Sequence, residues 1–576
     1  MSNFWILSLH VLVISAAVLA VLLVDLFLRQ LSRLRLSAAD RILFSRGNQP
    51  ARGRQCIAAN SLCDMPGRTV RWPRAGKVLA GQELRWMASL LAVATLSAAV
   101  AFPENPAVAA EPTESAKPAA KPAGDWVSFH NGGNTSVTEE NLPVRWSPED
   151  GIAWQRELAG YGQSAPVVTG DRLYLTAVEG KDKSHCLVTA VGLADGSTMW
   201  EQKYEATVKI PASEMVSRAA PTPLADAQGV YALFESGDLF ALATDGKLRW
   251  RKTLFDGRAE KFQNQHGFGS SPAQTDDLII VLVDHAGPSF LTGIRKSDGS
   301  AAWQTSRGSR GSWTSPHVTR VDGQDLVIVS SNGSVDAYAA ATGKQLWSLK
   351  DISGNTVCSA TVQGDRVYVG TAPGRRGATA GGTPSPGCLC LQIEPGSEQG
   401  YRVLWKAQKA SCSFISPLVH QGRVYCVNRT GAVTCVDAET GEIQSVQRVG
   451  SSSWAQPIAA GDHLWYFARD GVTTVLQAGS ELEQIAVNRF WAEDNPPKAP
   501  PAAEEKPSET RPAEEGGSRS GEGGGYGMDP VVYAAVPASG RFIARLGQRL
   551  YAVEEASGKP AAAAPSWNSA ADRAVE

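Results

Sequence analysis

The sequence carries no excess of charge of either sign. Its 55 Lys and Arg stand against 57 Asp and Glu over 576 residues, a formal net charge of −2, which argues against a nucleic-acid binder working through a broad basic surface. Charged residues make up only 19% and hydrophobic residues 43%, so wholesale disorder is excluded and a large core can be buried. The nine cysteines are scattered and do not form the framework of a small disulfide scaffold. There is no His-Glu-x-x-His, no Gly-x-Ser-x-Gly, no Gly-x-x-x-x-Gly-Lys and no Cys-x-x-Cys-His. The zinc-peptidase, serine-hydrolase, phosphate-loop and c-type haem signatures are therefore missing. Abundant instead are glycine (56), proline (33) and tryptophan (16), a composition that favours a turn-rich β protein.

Two apolar segments precede the bulk of the chain. Residues 4–28 form a 25-residue run interrupted by His10, a few serines and Asp25, long enough to span a bilayer. Arginines follow from Arg29 to Arg54 and again from Arg68 to Arg85, with only Asp40, Asp64 and Glu83 between them, which predicts a cytoplasmic loop. The second segment, 86–102, is short and alanine-rich and leads to Ala107-Val108-Ala109-Ala110. That order is a secretory signal with cleavage near Ala109 or Ala110. A two-helix anchor and a later start at Met65 or Met87 remain open; either way residues beyond 110 are exported. The expected organisation is a spanning helix and basic segment in 1–64, a signal-like segment in 65–110, a Pro/Ala/Lys linker in 111–124, one folded domain in 125–556, and a loose tail in 557–576. A disordered insertion is expected at 493–528.

Within 125–556 the sequence repeats. Each unit opens on a small residue, usually before proline, continues through a β run, a turn, a second β run and a hairpin, and ends on Asp-Gly or Thr-Gly four residues before tryptophan. Ala165-Pro166 opens a unit closed by Gly196 and Trp200; Ala220-Pro221, one closed by Gly246 and Trp250; Ser271-Pro272, one closed by Gly299 and Trp303; Ser315-Pro316, one closed by Gly343 and Trp347. The fifth unit starts at Ser359 and ends at Trp405, with a Gly/Pro insertion at 372–387. The sixth starts at Ser416-Pro417 and has Ser445 where the tryptophan would stand. The seventh starts at Gln456-Pro457 and fades near 484–490. An eighth is split: 531–536, 541–545 and 550–554 at one end of the domain, and 151–155 with Trp154 at the other. Eight units of four short strands predict an all-β, eight-bladed β-propeller of four-stranded blades, locked by the N-terminal strand joining the C-terminal blade. Trp154, Trp200, Trp250, Trp303, Trp347 and Trp405 read as structural, each with a broad face to pack between blades.

The unit end Ala339-Ala340-Ala341-Thr342-Gly343-Lys344-Gln345-Leu346-Trp347, together with Val436-Asp437-Ala438-Glu439-Thr440-Gly441, resembles the pyrroloquinoline-quinone-type (PQQ-like) repeat. Over about 126–555 the chain is similar to the outer-membrane assembly factor BamB and its PQQ-like relatives. The resemblance implies a non-catalytic, exported scaffold that binds envelope proteins or peptides and needs no cofactor. Two alternatives are a PQQ-dependent dehydrogenase using Ca²⁺ and a carbohydrate-binding or sensor propeller. Against the dehydrogenase, the adjacent Cys-Cys pair of many such enzymes is absent, Cys388 and Cys390 being separated by Leu389. BamB is a lipoprotein, whereas Val108-Ala109-Ala110-Glu111 has no lipobox cysteine. Membrane attachment would come through the N-terminal helix if it is retained.

Candidate sites are few. The segments before each first strand meet at one mouth of the channel and hold Tyr161, Gln163, Arg218, His266, Phe268, Trp313, Phe414 and Trp454. Aromatic side chains mixed with Arg, Gln and His suit a peptide, a sugar or a protein loop; the alternative is that they plug the channel. Cys426 and Cys435 lie on adjacent strands of one hairpin and are either a cross-strand disulfide or two buried small side chains. Asp284-His285 is read as a polar strand end, and no metal site is assigned.

Overall fold

Short runs of β-branched and aromatic residues between Gly-containing turns fold as expected into antiparallel meanders. In the computed structural model, residues 125–139, 141–210, 218–255, 266–372, 385–497 and 530–558 are described. They form eight sheets, each built on four antiparallel strands. Blades 1 to 7 span 167–205, 224–253, 273–307, 317–352, 361–407, 418–448 and 458–489. Blade 8 combines Ala534–Ala538, Arg541–Leu546 and Arg549–Val553 with Ile152–Glu157, which pairs antiparallel to Arg549–Val553. Where the sequence fades, blade 7 completes a regular outer strand, Gln484–Arg489. The expected membrane and signal segments and the linker 111–124 lie outside the described residues, as do 498–529 and 559–576. No described helix is long and apolar enough to cross a membrane.

The apolar core is distributed between blades, and the repeat motif explains how they join. The Trp154 indole N–H donates to Leu193 O (3.1 Å), Trp200 to Thr244 O (2.9 Å), Trp250 to Lys296 O (2.9 Å), Trp303 to Ala340 O (2.9 Å) and Trp405 to Ala438 O (2.9 Å). Each tryptophan thus reaches the turn of the next blade. The turn glycine lies flat against it: a Cβ on Gly343, whose φ is +69°, would sit 2.2 Å from the Trp303 ring. The glycine is needed both for its positive φ and for the room it leaves. Trp347 packs on blade 5 the same way, against Tyr401 at 5.0 Å, but its N–H has no acceptor. Between blades 6 and 7, where Ser445 replaces tryptophan, the Tyr425 hydroxyl instead accepts from Gly479 N (3.0 Å).

The serines that open the third, fourth and fifth units also have a role in joining blades. Thr222 N donates to Ser271 Oγ (3.0 Å), Ser271 N to Ser315 Oγ (2.9 Å) and Ser315 N to Ser359 Oγ (2.9 Å). A serine hydroxyl therefore satisfies the backbone donor of the preceding blade, continuing the ring where the Pro that follows can donate nothing.

Residues 125–139 precede the first repeat unit and carry no repeat signal. They form a strap along the innermost strands. Trp126 exchanges backbone hydrogen bonds with Val168 of blade 1 (3.0 and 2.8 Å), and Val127 O accepts from Ala225 N of blade 2 (2.9 Å). Gly133 O accepts from Val362 N of blade 5 (3.1 Å), Asn134 Nδ2 donates to Val419 O of blade 6 (2.9 Å), and Ser136–Val137 adds a parallel strand to blade 7. Between these points Phe129–Gly132 makes one 3-10 turn with left-handed residues, and the His130 ring stacks on His317 of blade 4 at 5.5 Å. Gly133 has φ +135°, and a Cβ there would lie 2.3 Å from Val362 Cγ2. Burial, and after it the nearby His317, hold the His130 imidazole well below its ordinary range, so it stays neutral.

Candidate functional site at the channel mouth

In an up-and-down sheet the hairpin between the second and third strands falls at the same end as the connection into the next blade. The strap contacts the opposite end, at the turns between first and second strands, where Asp125 Oδ1 accepts from Gly170 N (3.0 Å). The inter-blade segments therefore compose the face away from the strap.

Seven of the eight residues expected at this mouth fall into two groups. In the first, the Arg218 guanidinium lies 4.7 Å over the Tyr161 ring, and the Arg218 backbone exchanges hydrogen bonds with Gln163: its N donates to Gln163 Oε1 (2.9 Å) and its O accepts from Gln163 N (3.0 Å). Tyr161 OH meets Tyr533 OH at 2.7 Å. Tyr533 then lies 5.8 Å from Trp454, and Trp454 lies 6.3 Å from Phe414. The result is a continuous aromatic arc, Tyr161–Tyr533–Trp454–Phe414, joining blades 1, 8, 7 and 6. In the second group His266 packs on Trp313 at 5.5 Å, and the Trp313 indole donates to Gly267 O (2.9 Å). Phe268 is a correction. At 2% exposure it belongs to the apolar core of blades 2 and 3, with Leu224, Tyr231 and Ile279.

Two residues missed from the sequence complete the arc. Tyr533 occupies the position before the first strand of blade 8 and could have been found by extending the same rule to the split blade. Arg469 comes from the second hairpin of blade 7, a position no repeat signal marks. Its guanidinium lies 4.6 Å over the Trp454 ring.

The polar groups beneath this face are mostly satisfied. Arg545, 0% exposed, has no carboxylate partner among the described residues; it donates to Ser164 Oγ (2.7 Å), Ser164 O (3.3 Å), Thr176 O (2.6 Å) and Gly547 O (3.3 Å), tying blade 8 to blade 1. Burial pushes its pKa down to about 9. Lys183 and Glu235 form a buried pair at 3.6 Å between blades 1 and 2; burial lowers the first and raises the second. Asp284 is held by Arg307, Nε to Oδ1 at 2.9 Å and Nη2 to Oδ2 at 3.0 Å, while His285 Nε2 contacts Pro288 O at 2.9 Å. Asp284-His285 is thus a polar strand end, its carboxylate already neutralised. Among the described residues no three of His, Cys, Asp or Glu are grouped as a cation's ligands would be.

The cross-strand disulfide is corrected. Cys435 pairs with Tyr425 and Cys426 with Thr434, one residue out of step, so the two side chains leave opposite faces of the sheet. All seven described cysteines are free and buried. Cys426 sits among Cys388 and Cys412, whose thiols, with burial, raise it well above its usual range.

No curated protein matches the chain. Among solved structures, BamB from Moraxella catarrhalis is 15% identical and covers 71% of this chain and 98% of its own, with a TM-score of 0.45. A quinohemoprotein alcohol dehydrogenase from Comamonas testosteroni is 13% identical, covering 62% and 77% at a TM-score of 0.37. A europium-containing methanol dehydrogenase is 12% identical, covering 62% and 89% at 0.34. The family profile described as outer membrane protein assembly factor BamB matches residues 94–282 and 259–478, more than half of the chain. With its PQQ-like repeats closed into eight blades, the chain belongs to the BamB family.

Proposed function

We propose that this propeller is a non-catalytic scaffold of the bacterial cell envelope, exported through its N-terminal segments, whose mouth face receives partner proteins or peptides. The observation that carries the reading is the aromatic arc with its two stacked arginines, Arg218 and Arg469. Rings flanked by guanidinium groups are the side chains that dominate protein interfaces. A propeller face is also ample for a standard interface of about 800 Å² per partner. Family membership supports the same reading.

The test is photo-crosslinking in intact cells from a benzoylphenylalanine placed at Phe414. Discrete adducts that vanish with Tyr533→Ala support a binding mouth; no adduct there, with adducts from a site on the strap face, overturns it. Melting of the full chain with PQQ and Ca²⁺, alongside dye-linked alcohol and glucose oxidation, tests the absence of catalysis. A concentration-dependent rise in melting temperature with turnover would make the protein a dehydrogenase.

A further inference from the structure

The chemistry of the mouth's occupant is narrowed by three donors at one corner of it. Arg469 Nε, Trp454 Nε1 and Ser453 Oγ are all buried and have no hydrogen-bond partner. The two N–H groups can only donate. They are held together: Ser453 and Trp454 are consecutive, the Arg469 guanidinium lies 4.6 Å over the Trp454 ring, and Ser453 is 4% exposed. The backbone fixes Arg469 in place, its N donating to Ser452 O (3.0 Å) and its O accepting from Val532 N (3.2 Å).

Three other arginines of the domain have their acceptors. Arg307 holds Asp284, Arg251 holds Asp238 (2.8 Å), and Arg545 holds three carbonyls and a hydroxyl. Arg469 makes no ion pair among the described residues. The adjacent Asp470 carboxylate accepts from Val472 N (3.3 Å), within its own turn.

We infer that Arg469, Trp454 and Ser453 form a subsite for a carboxylate carried on an extended peptide segment of a partner protein. The inference rests on the mouth being a binding face. A carboxylate offers two coplanar acceptor oxygens, matching the edge of a guanidinium and leaving further lone pairs for the indole N–H. Sugar hydroxyls fit less well, because they donate as well as accept, and of the three groups only Ser453 Oγ can accept. Tyr533 and Phe414, 5.8 and 6.3 Å from Trp454, take the apolar side chains on either side. The carboxylate comes from an Asp or Glu side chain or from a chain terminus.

The experiment pans a displayed random heptapeptide library, with free and with blocked C-termini, against the immobilised full chain. Synthetic copies of the enriched peptides are then titrated by calorimetry. The expected result is enrichment of Asp or Glu at a fixed position, or of free termini. Exchanging that Glu for Gln, or amidating that terminus, weakens binding by about tenfold or more, the size of one charge-assisted hydrogen bond. Arg469→Gln weakens the acidic peptide equally and leaves its Gln counterpart unchanged; Trp454→Phe, which keeps the ring and removes the N–H, has a smaller effect in the same direction. Peptides that bind equally with Glu or Gln, yet are lost with Tyr533→Ala, overturn the carboxylate inference and leave the binding face standing. Peptides indifferent to every one of these substitutions, or no enrichment at all, overturn both.

Discussion

The two ends of the channel are built on opposite principles. On the strap face, residues 125–139 spend their polar groups on the ring: Trp126, Val127, Gly133 and Asn134 hydrogen-bond to four blades, and Ser136 Oγ meets His420 Nδ1 at 2.7 Å. On the mouth face, aromatic rings stand together while Arg469, Trp454 and Ser453 keep buried donors without acceptors. An unsatisfied buried donor costs about 1–3 kcal/mol. Within residues 125–139 one such donor remains, Trp126 Nε1, against three gathered at one corner of the mouth, where a ligand would relieve the cost.

The largest expected effects fall on the structural side. Trp250→Ala removes the ring that packs on Gly299 of blade 3 and the hydrogen bond to Lys296 O, and should cost about 3–5 kcal/mol in denaturant unfolding. Gly133→Val places a side chain against Val362 at φ +135° and should cost about 3 kcal/mol, read the same way. An unchanged midpoint in either variant would remove the argument for that contact.

The next test sharpens the comparison through pH. His130 is held neutral in the folded protein, its pKa well below that of the unfolded chain. Above pH 6.5 both states are neutral and the full stability is present. As pH falls below 6.5 the unfolded state takes up a proton that the folded state does not, so stability declines by up to about 1.4 kcal/mol per pH unit until the folded pKa is reached. Melting temperature against pH should show this slope, and His130→Asn, which tolerates the left-handed backbone, should flatten it. The smallest effect belongs to the mouth. Trp454→Phe removes an orphan N–H and should raise the stability of the free chain by about 1 kcal/mol, the low end of the cost of a buried unsatisfied donor. A large loss would place Trp454 with the structural tryptophans.

Much of the blade architecture was legible because it is periodic. Asp-Gly or Thr-Gly before tryptophan recurs in sequence, and each copy does the same thing in space, the tryptophan of one blade covering the glycine of the next. The exceptions were legible too: Ser445 marks the one junction at which Tyr425 and Gly479 take over. What failed was whatever depended on phase or on distant neighbours. Cys426 and Cys435 share a hairpin, but a one-residue offset sends them to opposite faces. Phe268 has the composition of a mouth residue and the burial of a core residue. His130 and Gly133 bear no repeat signal, since the strap occurs once.

By itself, then, the sequence determined the blade, its turn chemistry and the number of copies, because these are set by contacts between residues close in the chain or one repeat apart. The tertiary structure decided the path of the strap and the meeting of Arg469 with Trp454 and of Tyr533 with Tyr161. Those contacts join loops that closing the ring brings together, and a residue's own neighbourhood in sequence carries no record of which loop will face it.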